Sequence, residues 1–231
     1  MKNYLLILLP FSVILGCIRP SGDKLSDSTA LSDFSITQSA SSDKVESVEI
    51  LQPRDYIQWL ENKENKVYSE EAIGQHTFSI KYIPYEYMTI KEIGISDLNK
   101  ANFDSVKRNF QNNQYIEFSI KEADHGEIIY EGLGREEFNK RLNYYSFEFP
   151  KDVYLVDGKD TLPCLLHHLE RTYQIAPGTK INLMFSGTRN STVRAQNKTL
   201  VVYDRILGHS LIKLNLQKEN IKRIPELSVN L

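Results

Sequence analysis

Cys164-Leu-Leu-His167-His168-Leu-Glu170 is the densest run of metal-ligating side chains in the sequence. As a strand it points Cys164, His168 and Glu170 one way and His167 the other; as a helix it puts Cys164 and His168 on one face. Neither arrangement gives three ligands at a spacing familiar from zinc sites, so no metal is expected. Ser186-Gly187 ends an apolar run but lacks the G-x-S-x-G frame of a nucleophile elbow. No GxGxxG or GxxxxGK[ST] occurs, and Gly132-Leu133-Gly134 has no Lys-Ser or Lys-Thr behind it to hold a phosphate. Glu70-Glu71 and Glu136-Glu137 are adjacent pairs, which diverge on a helix or strand and read as solvated charge rather than a hydrolase's acid and base. Tyr82, Tyr85 and Tyr87, and Tyr144 with Tyr145, suit either a sugar-stacking platform or core and rim packing. These patterns point to no catalytic residue and no cofactor.

The N-terminus carries a more specific signal. Residues 1–17 read MKNYLLILLPFSVILGC, with Lys2 as a short positive region and an apolar run of 11 residues from Leu5 to Leu15. A bilayer span needs about 20 residues, so this is an export signal. Its end, Val13-Ile14-Leu15-Gly16-Cys17, resembles the lipobox of bacterial lipoprotein signal peptides. The resemblance implies cleavage between Gly16 and Cys17, a diacylglyceryl thioether on Cys17 and an acylated amino group. Several acyl chains, at roughly 0.8 kcal/mol per buried methylene, would make the lipid bilayer a permanent partner. After Cys17 come Ile, Arg, Pro, Ser and Gly, without the acidic run that marks surface lipoproteins in some diderm bacteria. Ile18 is also not the Asp that retains lipoproteins at the inner membrane. The expectation is an outer-membrane, lipid-anchored protein facing the periplasm, with surface display left open.

With Cys17 committed to lipid, Cys164 has no partner, so stability must come from core burial. Residues 17–48 read as the lipidated cysteine and a tether. Nine of the 31 residues from Ile18 to Val48 are Ser and only Phe34 is aromatic, a composition too poor to offset ordering entropy. The mean reach of such a tether is about 30 Å. Overall the 231 residues carry 28 basic and 30 acidic side chains, a balance that argues against a dedicated nucleic-acid binder. The balance is uneven along the chain: from Lys180 to the end there are nine basic and three acidic residues. Arg189, Arg194 and Lys198 are therefore candidate contacts for an anionic partner.

The remaining 183 residues hold 21 of the 24 aromatics. Period-two alternation predicts strands at Thr77–Ile83, Gln114–Lys121, Lys180–Phe185, Thr199–Leu207 and Leu211–Leu216. It also predicts strands at Tyr144–Phe149, Asp152–Val156 and Leu162–Tyr173, with a turn at Asp157-Gly158 and a hairpin through His125-Gly126 into Glu127–Glu131. Helical spacing predicts Asp55–Asn62, Tyr85–Lys91, Asn102–Gln111 and Arg135–Tyr145. The fold class expected is α+β: a mixed helix and strand region over 49–147, then a mostly antiparallel, sandwich-like β region over 148–231, the two possibly one domain. The functional expectation is an envelope binding or scaffold module. The alternative is an envelope hydrolase acting on a glycan or peptide polymer, which needs a pocket gathering two or more of His76, His125, Cys164, His167 and His168 with acids.

Overall fold

Alternating side chains make the strands, and the strands make one sheet. The computed structural model of the protein describes residues 49–171, 175, 177–187 and 196–229. Gly16, Cys17, Arg189 and Arg194 therefore lie outside the described residues. In β3 (His76–Ile83) and β4 (Asn113–Glu122), Phe78, Ile80, Ile116 and Phe118 are buried, while Lys81, Glu117 and Lys121 face outward. These two strands pair antiparallel with Ile80 opposite Phe118. β2 (Tyr68–Ile73) flanks β3 through a tight Gly74-Gln75 turn, where Gly74 takes a φ of +60°.

The second half supplies β5 (Val153–Asp157), β6 (Asp160–Glu170), β7 (Thr179–Ser186), β8 (Lys198–Asp204) and β9 (Ser210–Leu216). The full order is β2-β3-β4-β7-β6-β5-β8-β9, antiparallel throughout. The fold is α+β, and the sheet curls almost into a barrel. The two regions expected at 49–147 and 148–231 are the two sides of this sheet, joined where β4 meets β7 with Ile116 opposite Leu183. The corner is β6. Its first part pairs with β5 and its last part with β7, and a bulge between Cys164 and Leu166 bends it from one to the other. The enclosed core is aromatic at its centre, with Phe118 stacked between Phe78 at 6.3 Å and Phe149 at 5.6 Å.

Short helices cover the sheet. α1 (Pro53–Glu61) opens on a proline and buries Tyr56 and Leu60, one turn apart. α2 (Tyr85–Ile93) follows Pro84 and stops at Gly94, whose φ of +83° ends the helix. α3 (Lys100–Val106) is capped by Asn99, whose side chain accepts the Asn102 N–H. α4 (Arg135–Asn143) and α5 (Lys218–Lys222) complete the set, and β1 (Ile50–Leu51) pairs in parallel with β10 (Glu226–Leu227). No helix among the described residues is long and apolar enough to cross a membrane.

Two expected strands are absent. Residues 127–131 do not pair, because Ile128 and Ile129 are both buried and consecutive. Ile128 instead donates its N–H to the Thr179 hydroxyl, and its carbonyl accepts from the Arg141 guanidinium. Tyr144–Glu148 is a turn of π-helix continuing α4, since Tyr144, Tyr145 and Phe149 must all reach the core.

Lys198 corrects the expectation of a surface contact. It is the first residue of β8, fully buried, and its ammonium lies 2.9 Å from the Asp157 carboxylate at the end of β5. Gln114 of β4 donates to the other Asp157 oxygen at 2.8 Å and to the Ser186 carbonyl at 3.3 Å. Burial pushes the Lys198 pKa down and Asp157 draws it back up. Asp157→Ala is expected to cost about 3–5 kcal/mol in urea unfolding, because it leaves a buried ammonium unanswered. Asp157→Leu combined with Lys198→Met should recover most of that loss; an equal loss in both variants would show that the charge is not its cause.

Candidate functional site

The outer face of β4, β7 and β6 is apolar at one level and polar at the next. Leu166, Met184 and Tyr115 form one cross-strand row, and His168, Asn182 and Glu117 form the row beside it. α2 lies over both rows and places Tyr87, Met88 and Lys91 against them. Between helix and sheet is a cavity of about 240 Å³. Tyr87 and Lys91 separate it from a second cavity of about 250 Å³, lined also by Ile57, Ile90 and Ile95. The groove is thus mostly apolar with a few polar groups at fixed positions, as ligand sites are.

The bulge brings Leu166 into the groove wall. By turning β6 it leaves Leu165 and Leu166 53% and 61% exposed side by side, where regular alternation would have hidden one of them. The polar row is largely self-satisfied. Lys180 lies 3.5 Å from Glu117, and the Asn182 amide donates to Glu170 at 2.6 Å. The Lys81 ammonium lies 3.4 Å from Glu61. Burial raises the Tyr87 pKa, and Glu61, Glu117 and Glu170 raise it further, so the hydroxyl keeps its proton.

The residues singled out for chemistry do not gather here. The bulge changes the phase of the Cys164–Glu170 run. Cys164 packs against the core, His167 shares that side with its Nε2 3.1 Å from the Tyr145 carbonyl, and only His168 reaches the groove. The Cys164 thiol donates to the Leu166 carbonyl, and burial pushes its pKa up to about 11. Such a thiol is protonated at neutral pH and a poor nucleophile. His125 packs on Tyr130 at 4.2 Å. Of the tyrosines, Tyr82, Tyr144 and Tyr145 are buried, and Tyr144 donates to Asp152 at 2.9 Å. Only Tyr87 lies in the groove, where Tyr115 joins it. Among the described residues no group of three or more His, Cys, Asp or Glu is placed to hold a metal ion.

One histidine pair was not visible in the sequence. His76 Nδ1 and His209 Nε2 are 2.9 Å apart, and the His209 ring stands edge-on to Phe78 at 5.2 Å. The contact joins the start of β3 to the turn before β9, across the open seam of the sheet. The Asp204 carboxylate shapes that turn by accepting the N–H groups of Ile206, Leu207 and His209.

No protein-family model matches the chain, and no curated protein matches it in sequence. A solved structure of a protein of unknown function from Burkholderia pseudomallei is similar over 76% of this chain and 94% of that one. The two are 9% identical with a TM-score of 0.33, a likeness that says nothing about function.

A 2.9 Å contact between two ring nitrogens holds one hydrogen, so the pair tolerates at most one imidazolium. Burial pulls the His76 pKa below its ordinary 6.5, with His209 and Arg141 acting the same way and Glu122 and Asp204 opposing. The unfolded chain then binds protons that the folded chain refuses, and stability present above about pH 6.5 is lost as pH falls below it. The thermal midpoint is expected to fall between pH 7 and pH 5, and to fall less in His76→Gln. An unchanged slope in that variant would acquit the pair.

Proposed function

We propose that this protein is an envelope lipoprotein, held at the outer membrane by an acylated Cys17 and facing the periplasm, whose folded part is a binding module. The groove under α2 is its binding site. The observation that carries this reading is the apolar cavity lined by the exposed Leu166, a combination that a purely structural sheet face does not need. The lipobox-like run ending at Cys17 and the Ser-rich residues after it support the anchor and the tether. Arg189 and Arg194 stay in the reading as contacts for an anionic partner, and the buried Lys198 leaves it.

Two measurements test the two parts. Cys17→Ser should leave the exported protein unprocessed or in the aqueous phase of a detergent partition, and recovery of a mature variant in the detergent phase would end the anchor reading. For the groove, the chain from Ile18 onward should bind the neutral dye Nile red with enhanced fluorescence. Leu166→Glu and Met184→Glu each put a charge into the apolar row and should weaken that binding by about tenfold or more, the effect of leaving a charge unsolvated. Undiminished dye binding by folded variants would show that the groove is not the site.

A further inference from the structure

We propose that the groove takes a single-chain anionic amphiphile, such as a fatty-acid carboxylate, with its tail against the apolar row and its head between Lys91 and His168. This rests on the groove being the binding site.

The charge balance of the lining selects the head. Glu117 is answered by Lys180, and Glu170 by the Asn182 amide. Glu61, which faces Tyr87, lies 3.4 Å from the Lys81 ammonium. The neighbouring acid of α2, Glu92, lines neither cavity. Two basic side chains are then left: Lys91 on the helix wall and His168 on the strand wall. Among the described residues, neither has an ion pair or a side-chain hydrogen bond. Both side chains are solvent-exposed, so they sit at the rim of the apolar cavity, where two uncommitted donors favour an anionic head through charge-assisted hydrogen bonds.

The walls select the tail. Tyr87 and Met88 on one side face Tyr115, Leu166 and Met184 on the other. Unbranched thioethers adapt to a flexible chain better than branched side chains do. Tyr87 and Lys91 line both cavities, so a head held by Lys91 has an apolar lobe on either side of it. The tether adds supply: a reach of about 30 Å keeps the domain beside a bilayer, where such amphiphiles concentrate.

The test uses the chain from Ile18 onward with Nile red already bound. Dodecanoate, below its micelle concentration, should displace the dye. Dodecyltrimethylammonium, with the same tail and the opposite charge, should need about tenfold more, as should dodecanoate on Lys91→Glu, since one charge-assisted contact is worth about a factor of ten. His168→Asn should weaken dodecanoate by a smaller factor than Lys91→Glu does. Equal displacement by the two amphiphiles, or an undiminished response in Lys91→Glu, would overturn the anionic head. Sedimentation with phosphatidylglycerol vesicles without displacement by free dodecanoate would mean surface adsorption instead. If Nile red itself fails to bind, the groove reading fails, which separates that failure from a wrong choice of ligand.

Discussion

The Asp157–Lys198 pair fixes the register of β5 against β8 and, through Gln114, ties that part of the sheet to β4. Neither side chain touches solvent, and each is a strand-end residue opposite the other across β5 and β8. Charges this deep are tolerated only together, so any shift of β8 against β5 would strand one of them. Gln114 extends the constraint to β4, because its amide reaches both Asp157 and the Ser186 carbonyl. One hydrogen-bonded cluster thus ties β4, β5, β7 and β8 at the same end of the curled sheet. Its partners are specific in direction as well as distance, which an apolar contact is not.

The outer face inherits its arrangement from that registration. With β4 and β7 locked, Tyr115 must stand beside Met184 and Glu117 beside Asn182. The bulge in β6 then decides which of its residues join those rows, and it brings in Leu166 and His168 while turning Cys164 and His167 inward. The side chains with the richest chemistry are consequently dispersed. One histidine closes the seam with His209, one meets a backbone carbonyl, and one lines the groove.

Much of the fold was legible where burial is one-sided. Thr77–Ile83, Gln114–Lys121, Lys180–Phe185 and Leu211–Leu216 all fall inside observed strands, because a sheet with one face in the core writes period two into its sequence. Legibility failed where the period broke. Ile128-Ile129 and the Tyr144–Phe149 run bury neighbours that a strand would separate, which only irregular or π-helical backbone allows. Lys198 looked like surface because a lysine's charge advertises solvent, and nothing local marks the aspartate some forty residues earlier that receives it. The groove was invisible for a related reason. Outward Tyr115 and Met184 are unremarkable singly and become a wall only when strands distant in sequence stand side by side.

That distance also governs how the chain can fold. β4 waits for β7, with Ile116 seeking Leu183, and Ile50 finds its partner only at Glu226. Such long-range pairings place the domain among slow folders, since loop closure must precede the contacts that reward it. A chain synthesised N-terminus first completes β2, β3 and β4 before any partner for the β4 edge exists. Until the last strands arrive, β4 would offer an unpaired edge with Phe118 and Ile120 beside it. The early life of this protein, more than its folded state, is when it would need a chaperone to shield it from its neighbours.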